Sequence, residues 1–143
     1  MTAASKQETL ASLETKVHAY CEVSPEGKTM HGLSEYATQL RQDADLKTLR
    51  AVAREVDTWL RETHTAEQQL AISAHLLARG VLETHLPPSV DRLVQNLIRR
   101  GSISSQAEAV LVKEILVNSS LVAKYAGEVQ ALQAMLDPWD IKA

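Results

Sequence analysis

Lys47, Arg50, Arg54 and Arg61 recur at spacings that, at about 100° per residue, gather them into an arc of roughly 60° on a helix. Such a row meets anionic partners, either the phosphates of a nucleic acid or the carboxylates of an acidic protein. Asp57 lies beside Arg54 and Arg61 on the same helix and offers them ordinary side-chain pairs that weaken the positive field. No aromatic residue interleaves with the row to stack a base. Arg99 and Arg100 supply two more cations, at the end of a later helix.

Five histidines and one cysteine raise the question of a metal. His18 and Cys21 stand three apart and share one helix face. A closed zinc site takes four ligands and a catalytic one about three, and His31, His64, His75 and His85 form no second pair. His18 therefore reads as a boundary residue, Cys21 as a small core residue, and no metal or cofactor is expected. His75, midway along an apolar helix with Glu67 and Glu83 not far away, is the histidine most suited to an enclosed position. It makes His75 and Leu76 the candidates for a pocket between helices. The chain has no phosphate-binding glycine loop, no nucleophile elbow and no paired-carboxylate motif. The expectation is a protein that is not an enzyme.

These residues must be positioned by helices. The segment from Thr65 to Gly101 reads as two apolar helices joined by a bend. Thr65 with Gln68 fits a capping box, and the helix that follows is apolar around much of its circumference. Leu86-Pro87-Pro88 forbids its continuation, so the turn is expected near 84–86. Pro88 or Ser89 then begins a helix with Val90, Leu93, Val94, Leu97 and Ile98 on its apolar side, closed by Gly101.

Before this pair, Ser5 with Glu8 suggests a cap for a first helix that carries Leu10, Leu13, Val17 and Tyr20 or Cys21 and ends near Glu22. The turn-forming residues of 24–32 suggest a mobile loop. A short helix over Leu33 to Leu40 follows, then a third capped by Asp43 or Asp45, unless the two are one bent helix. The third has the cleanest pattern, with Leu46, Leu49, Val52, Ala53, Val56, Trp59 and Leu60 on one side.

After Gly101, Ser105 with Glu108 repeats the capping box. The helical period runs on to Leu136, with a break favoured at Asn118-Ser119-Ser120 over one continuous helix. The tail 138–143 carries Trp139 and Ile141, large apolar residues that need a surface to pack on, either the body of the protein or a partner.

The stretch from Val81 to Val117 admits another order: a strand VLETHL, a helix to Arg100, then Gly101 and a helix opened by Ser104-Ser105. That order resembles the ribbon-helix-helix family of DNA-binding proteins, and the resemblance covers about a quarter of the chain. It implies a paired strand at 81–86 that enters the major groove. Glu83 and His85 stand where the family's strand carries basic or amide residues.

Composition bounds all of this. A chain of 143 residues, 45% hydrophobic, with no Phe and 3% aromatic residues, has an aliphatic core suited to packed helices. The fold expected is all-α, a single domain over 1–143 built as an antiparallel bundle or irregular array of about six to seven helices. A net charge of −3 argues against a generally basic nucleic-acid binder. One cysteine excludes an internal disulfide and, with no signal-like or membrane-length apolar run, points to a cytoplasmic protein with no membrane association. The leading function is a protein-protein interaction module (adaptor, immunity or regulatory) that docks a protein partner or another copy through Trp139 and Ile141. The alternatives are a nucleic-acid-associated regulator using the basic face, and a small apolar-ligand sensor.

Overall fold

A computed structural model of the chain describes residues 3–24 and 31–139. Within them every regular element is helical. Eight α-helices run in order: α1 (Ala3–Val23), α2 (His31–Gln42), α3 (Leu46–Thr63), α4 (Ala66–Ala78), α5 (Pro88–Arg100), α6 (Gln106–Leu116), α7 (Ser119–Lys124) and α8 (Val129–Leu136). Short 3₁₀ turns occupy Glu83–His85, Ala126–Glu128 and Asp137–Trp139.

The apolar stripe of α1 places Leu10, Leu13, Val17 and Tyr20 against α3, whose Leu49, Ala53, Val56 and Leu60 form the facing row. With α2 and one side of α4 they make a first apolar cluster. A second cluster lies between the other side of α4 and α5, α6, α7 and α8. α4 therefore serves both, Ile72 and Leu76 facing the first and Leu70, Ala74 and Leu77 the second. Its all-round apolar character is the sequence's statement of that position.

Local signals account for most of the boundaries. Asp45 caps α3 by accepting from the Thr48 amide, and Ala44, at φ 55, turns the chain between α2 and α3, so the two are separate helices. Both halves of the Thr65–Gln68 capping box are present. Asn118 caps α7 through the Leu121 amide, which settles the break near 118.

Several boundaries differ from the sequence reading. Ser5 lies inside α1, because the strong helix formers Ala3 and Ala4 carry the helix further back. α4 stops at Ala78, well before the prolines: Gly80 takes φ 84, and the amides of Val81 and Gly80 close on the carbonyls of Leu76 and Leu77. That is a Schellman ending, which a glycine permits. Residues 83–85 form a 3₁₀ turn where the ribbon-helix-helix resemblance requires a strand, so that expectation is not met. The last helical stretch is interrupted a second time at Ala126–Glu128. Most of the proposed loop 24–32, and the tail beyond Trp139, lie outside the described residues.

A basic cleft between α3 and α5

On α3, Arg50, Arg54, Asp57 and Arg61 follow one another at four, three and four residues, so their side chains leave the helix along one line. α3 packs on α1 through the adjoining face, about 100° round the helix from this line, and meets α5 along its flank. The line of side chains thus becomes the wall of a cleft with two recesses. The first, of about 300 Å³, has Leu13, Ala53, Leu86 and Pro88 for its apolar lining and Lys16, Arg50, Arg54, Asp57, Thr84 and His85 for its polar one. The second, of about 270 Å³, is bounded by Asp57, Arg61, Pro88, Ser89 and Arg92. Asp57 and Pro88 belong to both recesses, which adjoin along them.

The charge pattern follows from one buried lysine. Lys16 lies on the apolar arc of α1, between Leu13 and Tyr20, and is only 3% exposed. An ammonium taken out of water needs a counter-charge. Asp57 provides it, with Oδ1 at 2.6 Å from Lys16 Nζ; this is a charge contact, since Oδ1 has no hydrogen bond of good alignment. Burial pulls the Lys16 ammonium below the ordinary lysine range, and Asp57 only partly restores it. The sequence reading gave Asp57 to Arg54 and Arg61. Instead it is turned toward α1, because the buried cation has no water to fall back on and the arginines do.

The consequence is a surplus of positive charge. Among the described residues, Arg50, Arg54 and Arg92 have no ion-pair partner, and Arg61 has only its neighbour Glu62, at 3.2 Å with both side chains well exposed. Such an exposed pair contributes little and is readily exchanged. His85 registers the surplus: burial first, then the charges of Lys16 and Arg50, lower its pKa. Its Nδ1 lies 2.8 Å from Ser12 Oγ, which also accepts from the Leu82 amide at 3.0 Å and so ties the 82–86 segment to α1.

Of the six basic candidates, the structure gathers three in the cleft: Arg50, Arg54 and Arg61. Lys47 is exposed but lines neither recess. Arg99 and Arg100 are at the far end of α5. Arg100 is engaged there with Glu108 and the Ser102 carbonyl, closing the turn into α6. Glu108 also accepts from the Ser104 amide at 2.7 Å, so only half of the expected Ser105–Glu108 box forms, the Glu108 amide donating to Ser105 Oγ. Two residues of the cleft escaped the sequence reading. Lys16 carried a signal, a charged residue spaced on an apolar stripe; Arg92 carried none, since its place opposite Arg61 depends on how α5 meets α3.

The other candidates are positioned differently. Leu76 is fully buried and borders neither recess of the cleft, whereas His75 borders an open, mostly apolar groove of about 300 Å³ with Val23, Ala71, Ala74, Ala78, Ala107, Val110 and Glu114. Its Nε2 lies 2.7 Å from Glu22, which also pairs with Arg79. Trp139 is partly buried against the second cluster, and Ile141 lies outside the described residues. His18 makes three contacts, with Ser34 Oγ at 2.5 Å from Nδ1 and with Thr38 Oγ1 at 3.0 Å and Glu14 Oε2 at 3.3 Å from Nε2. Both ring nitrogens are thereby occupied in holding α2 on α1. Among the described residues no group of three or more His, Cys, Asp or Glu is arranged to hold a metal, and no helix is long and apolar enough to cross a membrane.

No protein-family model matches this chain, and neither a curated protein nor a solved structure is significantly similar to it.

Proposed function

We propose that the protein is a non-enzymatic helical interaction module that docks an acidic segment of a protein partner along the α3–α5 cleft. The observation that carries this reading is that Arg50, Arg54 and Arg92 surround the cleft without counter-charges, in a chain whose net charge is −3. Unpaired guanidiniums beside an apolar floor suit carboxylates carried on a partly apolar peptide. A nucleic acid is the poorer occupant: no Phe, Tyr or Trp lines either recess to stack a base, and the chain as a whole is acidic. A cytoplasmic regulatory or immunity role belongs to the same proposal.

The test is fluorescence anisotropy with a labelled peptide that alternates acidic and aliphatic residues, titrated at low and at physiological salt beside a labelled DNA duplex. Binding of the peptide, weakened by salt and weakened at least tenfold in an Arg50→Gln/Arg54→Gln variant, is the expected result. No peptide binding at low salt, or binding indifferent to that variant, would overturn the reading. Tight DNA binding lost in the same variant would replace it with the nucleic-acid alternative.

A further inference from the structure

The second recess differs from the first in what its wall offers. α5 begins at Pro88 with Pro87 in the capping position, and no side chain closes over its first turn. Proline at the first helical position has no amide, and the amide of Ser89 belongs to the group that a helix start leaves without an intrahelical partner. Ser89 lines the recess, is 8% exposed, and its hydroxyl has no hydrogen-bond partner. A buried hydroxyl left unpaired is uncommon and costly unless something supplies the bond. Arg61 from α3 and Arg92 from α5 flank the same space. Asp57 adds a carboxylate to the wall, but Lys16 stands 2.6 Å from it and balances its charge.

We infer that this recess is a subsite for a phosphate monoester carried by the acidic segment that the cleft docks. This rests on the proposed reading of the cleft and adds the chemical class of one group on the partner. A carboxylate offers two oxygens and is satisfied by one guanidinium. Two guanidiniums from different helices, an unspent amide at a helix start and an unpaired hydroxyl suit a group with three terminal oxygens and nearly two charges. The macrodipole of α5 points its positive end at the same place. The exposed Arg61–Glu62 contact is weak enough to be given up for a phosphoryl group.

The experiment compares an acidic peptide bearing one phosphoserine with its unphosphorylated twin, alongside inorganic phosphate followed by amide NMR shifts on the full chain. Phosphorylation should tighten binding about tenfold or more, and inorganic phosphate should shift the Ser89 amide first among those of α5. In an Arg61→Gln/Arg92→Gln variant the ratio of the two peptides' affinities should fall below twofold, whatever the unphosphorylated peptide itself loses with Arg92. Ser89→Ala, which removes only an unpaired oxygen and leaves the fold intact, should reduce the gain as well.

If both peptides bind equally and phosphate shifts no α5 amide, the subsite is refuted and the acidic cleft stands. If phosphate shifts those amides but neither peptide binds, the subsite is one for a free phosphate compound and the docked-segment form of the inference is overturned. Failure of all three probes overturns both.

Discussion

Lys16 shows how one residue reorganises the charges around it. Its ammonium, placed on the buried line of α1, claims the only carboxylate in the arginine row and leaves the arginines to the cleft. The anomaly itself could be read from spacing, since Lys16 follows Leu13 by three residues and precedes Tyr20 by four. The identity of its partner could not, because that depends on the packing of α1 on α3.

The same field makes a prediction about His85. Burial, then Lys16 and Arg50, lower its pKa below the ordinary 6.5, so in acid the unfolded chain takes up a proton that the folded chain resists. Stability contributed by the neutral imidazole is complete above about pH 6.5 and is lost as the pH falls from there through the folded-state value. Urea unfolding at pH 7.5, 6 and 5 should therefore show wild type losing its advantage over His85→Gln as the solution is acidified. A gap that stays constant or widens would show that the folded protein does not lower the His85 pKa.

Helix boundaries were readable wherever a side chain or a proline makes them, and misread where backbone geometry does. Thr65, Asp45, Asn118 and Gly101 announce α4, α3, α7 and the end of α5 in the sequence, each by a hydrogen-bonding side chain or a left-handed glycine. For the end of α4, Leu86-Pro87-Pro88 is the stronger signal in the sequence, and Gly80 inside a helical period is the weaker one although the helix ends at it. Yet Gly80 is what frees residues 81–86 from α4. The freed segment then crosses to Ser12 and brings Thr84, His85 and Leu86 to the cleft.

A side chain at φ 84 is strained even though a Cβ there would meet nothing within 4 Å. Gly80→Ala should cost about 1 kcal/mol by this backbone term alone. Gly127→Ala is the comparison, because that glycine is equally open but does not have a positive φ. Differential scanning calorimetry should show a lowered midpoint for the first and little change for the second. Equal effects would mean that Gly80 is not required by its conformation.

At the scale of the molecule, the all-helical class followed from composition and period, but the sharing of α4 between two apolar clusters did not, since nothing in a one-dimensional pattern says how many neighbours a helix has. The sharing has an energetic consequence. Leu76 is fully buried in the first cluster, while Leu70, Ala74 and Leu77 on the same short helix hold the second. A loss of order in α4 removes packing from both at once, which predicts that the two clusters unfold together.

The two tryptophans sit where they can report on this separately. Trp59 packs against the first cluster, its ring centroid 5.9 Å from that of Tyr20, and Trp139 packs against the second. In Trp59→Phe the tryptophan emission comes only from the second cluster, and in Trp139→Phe only from the first. Adding Leu76→Ala to each background should cost about 2–5 kcal/mol by loss of buried contacts and the cavity left behind. The loss should be the same by either tryptophan, with coincident urea midpoints before and after. If Leu76→Ala lowers the midpoint reported by Trp59 and leaves that of Trp139 in place, the clusters are energetically independent and α4 is only a boundary between them. The cleft would then be held by the first cluster through α3 and by the second through α5, so its two walls would respond to a mutation separately.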